Sequence, residues 1–196
     1  MFRKLSSQAL KRITYLEELD QQDRTDGTPR SRRLRQINRA TGEFLSILAV
    51  NAPAGELIEI GTSAGYSTLW LALAARERHQ KVKTFEIDPE KIALAHETFH
   101  LAGLEEYIEI ISGNFMQTGV SLAPISFCFL DAEKELYEPF FQLVAPKLVT
   151  NGLLVADNAI DQYEGIKPMI NAALADERFD CITIPIGNGE FICRRT

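Results

Sequence analysis

Long apolar runs are missing from this chain. Nowhere in its 196 residues is there a stretch near the roughly 20 apolar residues that a membrane-spanning helix needs. The N-terminus, Met1-Phe2-Arg3-Lys4-Leu5-Ser6, lacks the apolar centre of a secretory leader, so the expectation is a cytoplasmic protein with no membrane partner. Excess basic charge is missing too. Against 21 Lys and Arg stand 27 Asp and Glu, a formal net charge of −6, which argues against nucleic acid as a partner. Cysteine is scarce. Cys128, Cys181 and Cys193 all sit in apolar, strand-like segments and no two have metal-ligand spacing, so they read as small buried hydrophobes rather than a zinc site.

What is present suits one globular domain, residues 1–196, at 45% hydrophobic and 24% charged. Apolar residues Phe2, Leu5, Ala9, Ile13, Leu16 and Leu19 recur at helical spacing and predict an amphipathic helix over 2–20. A polar break with Gly27 and Pro29 fills 21–31. A second helix is expected at about 32–50, ended by Asn51-Ala52-Pro53-Ala54-Gly55. Strands are then expected at 56–60, 82–87, 107–111, 125–130 and 152–156, alternating with helices at 65–78, 89–102, 135–149 and 162–176. That rhythm predicts an α/β fold, a mainly parallel sheet with helices on both faces. Phe179–Pro185 and Glu190–Arg194, joined by Ile186-Gly187-Asn188-Gly189, predict a C-terminal antiparallel hairpin.

The most informative stretch is Leu57-Ile-Glu-Ile-Gly-Thr-Ser-Ala-Gly-Tyr-Ser67, a strand that runs through a glycine turn into a helix. It is not the dinucleotide fingerprint G-x-G-x-x-G, whose second glycine admits a pyrophosphate. Acids flank the turn instead. Glu59, ahead of Gly61, would repel a pyrophosphate but accept from an ammonium group. Glu86, ending the next strand in Phe85-Glu86-Ile87-Asp88-Pro89, suits the paired hydroxyls of a ribose. A ligand with a cationic amino-acid end and an unphosphorylated ribose fits, and S-adenosylmethionine is one.

Two further strand ends carry oxygen donors. Ile125–Leu130 leads into Asp131, and Leu153–Ala156 leads into Asp157-Asn158. Neighbouring parallel strands lie about 4.8 Å apart, so these tips are expected side by side. Two carboxylates and an amide oxygen there would suit one hard cation, Mg²⁺ or another divalent ion such as Ca²⁺ or Mn²⁺. Lys134, three positions past Asp131, is placed to reach back over such an ion, whose charge would favour a neutral amine able to take a proton. The basic cluster Arg30, Arg32, Arg33, Arg35 and Arg39 reads either as a solvated helix face or as a site for an acidic substrate group.

Glu-Ile-Gly-Thr-Ser-Ala-Gly-Tyr-Ser-Thr-Leu, then Phe-Glu-Ile-Asp-Pro, resembles the cofactor site of class I S-adenosylmethionine-dependent methyltransferases. The likeness is greatest to the small metal-dependent O-methyltransferases of the catechol and caffeoyl-CoA type, over about 37–194. The resemblance implies a Rossmann-like class I methyltransferase fold with two extra N-terminal helices. It also implies roles. Ile37 would contact the methionine part of the cofactor through its backbone. Glu59 and Ser67 would hold the amino-acid end, Gly61 and Ser63 would line the turn, Glu86 would take the ribose and Asn114 would lie by the adenine. Asp131, Asp157 and Asn158 would bind the metal, with Asp131 also near the cofactor, and Lys134 would be catalytic. The expected partner is a small hydroxylated, phenolic or catechol-like acceptor. Glu133 and Ala132 depart from the animal catechol enzyme, so the acceptor does not carry over. A non-catalytic cofactor binder and a nitrogen-directed methyltransferase are the alternatives. The two N-terminal helices also suggest a homodimer.

Overall fold

The computed structural model describes residues 1–29 and 32–196. Arg30 of the basic cluster therefore lies outside the described residues. The first helix is shorter at its start than the apolar spacing predicts. A 3₁₀ turn covers Phe2–Lys4, and α1 runs Ser7–Asp23. The break has a local cause: Ser6 is extended and its hydroxyl accepts from the Ala9 amide at 3.1 Å, the cap that starts a helix one residue later. The second helix, α2, is Arg39–Asn51, not 32–50. Residues 32–38 are not helical because their amides are bonded elsewhere. Leu34 N donates to Asp23 at 2.7 Å, Gln36 N to Asp20 at 3.3 Å, and Arg35 adopts a φ of 49°. Asn38 then caps α2 through the Thr41 amide.

The sheet elements fall close to their expected places. Strands β1 Glu56–Ile60, β2 Val82–Glu86, β3 Ile108–Ser112 and β4 Ile125–Leu130 are followed by a longer β5, Leu148–Ala156. Helices α3 Tyr66–Glu77, α4 Pro89–Ala102, α5 Phe115–Thr118, α6 Tyr137–Val144 and α7 Tyr163–Ala175 connect or flank them. The expected helix at 135–149 is only α6 with a 3₁₀ turn at each end. The hairpin is β6 Phe179–Ile184 and β7 Glu190–Arg195.

The seven strands are ordered β3-β2-β1-β4-β5-β7-β6, parallel except where β7 meets β5 and β6. The chain builds outward from β1 to β3, then returns to lay β4 on the other side of β1. The order reverses between β1 and β4, and a ligand crevice opens at the carboxyl ends of such strands. Alternation along each strand feeds two cores. Leu57, Phe127, Phe129 and Val155 face α1 to α4, while Ile58, Cys128, Leu130 and Leu154 face α6 and α7. Trp70 and Tyr66 of α3 are the largest buried residues of the first core. All three cysteines are free, Cys128 and Cys193 buried and Cys181 partly so, as their apolar settings suggested.

Helix α1 spends its apolar face on this chain's own core. Ile13 and Leu16 are buried with α3 and α4, Arg12 reaches Thr98 at 2.9 Å and Tyr66 donates to Glu17 at 2.6 Å. That face is not left for a second subunit, so a homodimer would have to use other surface. Among the described residues no helix is long and apolar enough to cross a membrane.

If 1–196 folds as one unit, Ile13→Ala should shift a single urea transition by about 2–5 kcal/mol, the range for a buried aliphatic truncation. Two separated transitions by circular dichroism and tryptophan fluorescence would instead make the N-terminal helices an independent unit.

Candidate active site

The strand tips enclose a cleft of about 930 Å³. Its near wall is the turn after β1. Gly61 has a φ of +100°, and a Cβ there would fall 1.9 Å from the Asp131 carbonyl oxygen, so only glycine lets β1 and β4 end this close together. Ser63, at a φ of 47°, is tied at both ends. Its amide donates to Glu86 at 2.8 Å, and its hydroxyl donates to the Leu34 carbonyl at 3.1 Å, which pins the non-helical 32–38 segment over the turn. Ile37 of that segment, Gly61, Ser63, Ser67, Glu86, Asn114 and Asp131 all line the cleft.

Glu86 is held by three amides. Ser63 N bonds one oxygen, and Ile87 N and Asp88 N bond the other at 2.8 and 3.0 Å. Its lone pairs toward the cleft are thereby aimed before any ligand arrives. Asn114 caps α5 with its side-chain oxygen. Beside it Phe115 stands edge to face with Phe85 (4.8 Å between centroids) and Phe140 (5.2 Å), and all three line the cleft. This apolar wall was not foreseen, because an aromatic residue after Gly113-Asn114 reads as ordinary core.

Glu59 is placed differently from its expected role. It is fully buried and is not part of the cleft lining. Its Oε2 accepts from Thr68 and, at 2.6 Å, from Thr84, while Oε1 has no partner among the described residues. Burial pushes this carboxyl up to about 7, against the pull of the Ser67, Thr68 and Thr84 hydroxyls and with Asp131 adding to the rise. Glu59 thus stands one layer behind the cleft surface, near Ser67, which lines the cleft.

At the far wall the sheet pairing continues past its last strand residues. Asp131 N bonds Ile60 O at 3.0 Å, and Asp157 N bonds Leu130 O at 3.1 Å. Three adjacent strand ends are therefore in step, and Asp131 and Asp157-Asn158 come together as their spacing predicted. Asn158, at a φ of 69°, donates from Nδ2 to Asp161 at 3.1 Å, which commits its nitrogen and leaves Oδ1 available. Lys134 sits against Asp131. Its Nζ donates to Asp131 Oδ1 at 2.9 Å, the Ala132 carbonyl at 3.0 Å and the Tyr137 phenol at 2.7 Å. Burial, with Asp131 and Asp157 nearby, raises the Tyr137 phenol well above its usual range, so it keeps its proton.

Among the described residues no group of three or more His, Cys, Asp and Glu is gathered closely enough to hold a metal ion. The expected donor set has only two carboxylates, its third member being the Asn158 amide, and these are the oxygen donors a hard cation takes. A further observation fits a cation here. Glu190, the first residue of β7, is fully buried, and neither of its oxygens has a partner among the described residues. It falls opposite Asp157 when the β5–β7 pairing is continued one step outward. Burial raises both carboxyls, the neighbouring negative charge of Asp131 adding to the rise of Asp157 and that of Asp157 to the rise of Glu190. Sequence reading passed over Glu190, since an acid right after Gly-Asn-Gly looks like a turn residue.

Of the basic cluster, Arg39 pairs with Glu17 at 2.7 Å and Arg35 with Glu133 at 2.8 Å. Arg33 and Arg35 line the cleft, so the cluster flanks it, but Arg35 already has a carboxylate partner. Its bond to Glu133 ties the 32–38 segment to the loop after β4.

A reversed-order α/β sheet with a glycine turn and a pinned acid at adjoining strand ends defines a Rossmann-like α/β protein. This chain belongs to the O-methyltransferase family, whose pattern matches residues 6–196. It is 35% identical over 124 residues to a catechol O-methyltransferase of Niastella koreensis, covering 61% of this chain and 56% of that protein, so the chain spans little more than half of that relative. It is 28% identical over 179 residues to caffeoyl-CoA O-methyltransferase 2 of Populus trichocarpa, covering 79% of this chain and 72% of that one. In fold it is similar to an SAH-bound methyltransferase of Podospora anserina, with a TM-score of 0.79, 18% identity, and coverage of 97% and 88%.

The Glu59 setting has a consequence for stability. A carboxyl near 4.5 when unfolded and about 7 when folded contributes stability fully below pH 4.5, and loses it as pH rises through about 7. Glu59→Gln should therefore flatten the fall in melting temperature of cofactor-free protein across that window, by an amount equivalent to about 1–3 kcal/mol. Asp157 contributes a fall of the same sign, so the slope should shrink rather than vanish. An unchanged slope would return Glu59 to an ordinary carboxylate.

Proposed function

We propose that this protein transfers a methyl group from S-adenosylmethionine to a hydroxyl of a small phenolic or catechol-like acceptor, using a divalent ion, Mg²⁺ in the first instance, held by Asp131, Asp157 and Asn158. One observation carries the reading. The backbone bonds from Asp131 to Ile60 and from Asp157 to Leu130 put both acids at strand tips beside the Gly61–Ser63 turn, with Lys134 on Asp131. Family membership and the two named relatives support the same reaction class.

When bound, S-adenosylmethionine supplies an electrophilic methyl group on sulfur, and a divalent ion supplies positive charge that favours the ionised form of an acceptor hydroxyl. The remaining work falls to the chain. Glu86, with its carboxylate pinned by three amides, accepts the ribose hydroxyls. Phe85 and Phe115 offer an apolar wall to a flat base, next to Asn114. Ile37 and Ser67 close over the amino-acid end, and Glu59 acts through Ser67 from behind. Lys134 is the group that takes the acceptor's proton, at Nζ. Its three neighbours, the Asp131 carboxylate, the Ala132 carbonyl and the Tyr137 phenol oxygen, all accept hydrogen bonds. They suit the ammonium, the form that exists after proton transfer, so the site favours the outcome of that step before it occurs. Holding the oxygen and methyl carbon about 3–3.5 Å apart is worth several kcal/mol of the barrier.

The direct test is an acceptor screen with labelled cofactor, with and without Mg²⁺. Methyl transfer to hydroxylated aromatics that stops in EDTA and returns with Mg²⁺ is expected. Turnover indifferent to EDTA would remove the ion from the mechanism, and a nitrogen-linked product by NMR would change the acceptor class. Asp157→Ala should cost about 100-fold or more in ion-stimulated turnover while cofactor binding by calorimetry stays nearly unchanged. Lys134→Ala should lower kcat by about 10²–10⁴ with little change in acceptor KM. That deficit should narrow as pH climbs toward the phenol's own pKa of about 10. A deficit in KM alone would strip Lys134 of the base role.

A further inference from the structure

Glu190 is the one group at the sheet tip that neither the expected donor set nor the proposed reaction uses. The register places it. β5 and β7 are antiparallel with Ala156 opposite Phe191, so the next pair outward is Asp157 opposite Glu190. Residues paired across strands point to the same face, with Cβ atoms about 4.5–5.5 Å apart. The carboxyl is fully buried with both oxygens unpartnered among the described residues, a placement that costs free energy unless something satisfies it. Lys134 is engaged by Asp131, and the two arginines that share the recess beside Asp157, Arg24 and Arg39, are held by Asp20 and Glu17.

The backbone makes this pairing rigid. Ala159 N donates to Gly189 O at 2.8 Å and Ile160 N to Asn188 O at 3.0 Å, so the hairpin turn that precedes Glu190 is clamped to the loop that follows Asp157-Asn158. A Cβ on Gly187 would lie 2.5 Å from the Thr41 hydroxyl, so the start of α2 closes the hairpin tip from the other side. Glu190 cannot swing out to water without opening this clamp.

We infer that Glu190 is a positioning residue of the divalent-ion site, backing Asp157 from the neighbouring strand and fixing its carboxylate for the ion. This rests on the ion-dependent reading above. It leaves the expected Asp-Asp-Asn set as it is and adds a supporting residue from the C-terminal hairpin, a part of the chain with no assigned role in the site.

The test measures Mn²⁺ and Mg²⁺ binding by isothermal titration calorimetry, with Mn²⁺ also followed by electron paramagnetic resonance, in wild type, Glu190→Gln and Glu190→Leu. Melting temperatures are taken in EDTA and with each ion. Wild type should bind, and both variants should bind about 10–100-fold more weakly, the range for losing a group that supports a metal ligand. In EDTA the Glu190→Gln protein should melt no lower than wild type, because a buried carboxyl without a partner is gone, and it should gain less on adding Mn²⁺. A merely structural Glu190 predicts the reverse, a lower melting temperature in EDTA with ion affinity intact, and that result overturns the inference. If wild type itself binds neither ion, the ion-dependent reading fails and takes this one with it. If wild type and both variants bind alike, only the role of Glu190 fails.

Discussion

Two backbone hydrogen bonds hold this site together: Asp131 N to Ile60 O and Asp157 N to Leu130 O. Each continues parallel pairing one residue past the last strand position, where most strands diverge into loops. With them, the ends of β1, β4 and β5 stay in register. The glycine turn, Asp131 and Asn158 then share one mouth, while Asp157 is buried beside it and lines the neighbouring recess. Gly61 makes the arrangement possible, since any side chain at that position would collide with the Asp131 carbonyl. The rest is built on that close approach. Ser63 hangs on Glu86 and on Leu34, Lys134 hangs on Asp131, and the hairpin turn hangs on the loop after Asn158.

The cleft also shows how buried charge is divided. At the ends of β1 and β2, Glu86 is fully supplied with amide donors, and Glu59 with hydroxyl donors on one oxygen. At the ends of β4, β5 and β7, Lys134 pairs with Asp131, while Asp157 and Glu190 fall opposite each other. A protein gains no stability from two unpaired acids in its interior. Their presence at a strand tip, next to a free amide oxygen, is the kind of local cost that functional sites carry and that the surrounding fold offsets.

Much of the fold was legible. Period-two and helical apolar spacing located five parallel strands, their helices and the final hairpin within a few residues. The reading failed where backbone amides were taken by side chains far away. Leu34 and Ile37 keep helical spacing with Phe44 and Leu48, yet Asp20 and Asp23 of α1 capture the Leu34 and Gln36 amides and hold 32–38 out of the helix. Nothing local at 32–38 signals this. The long helix expected at 135–149 was cut to α6 for a different reason. Pro146 and the 3₁₀ turns at Lys134–Leu136 and Ala145–Lys147 tighten both ends.

The residues of the proposed site stand out in the sequence because each belongs to a local signature: an acid before a glycine turn, an acid ending an apolar strand, an Asp-Asn pair, a lysine three positions past an aspartate. Periodicity and turn chemistry act over a few residues, so the order of residues alone determined the layers, the strand ends and most of the donors. Only the tertiary structure decided that Glu59 stands behind the wall rather than on it, that Arg35 is tied to Glu133, and that Glu190 meets Asp157. Those outcomes depend on which strands become neighbours and in what register. Cross-strand partners are set by the packing of the whole sheet, and no window of the sequence contains both members of the pair.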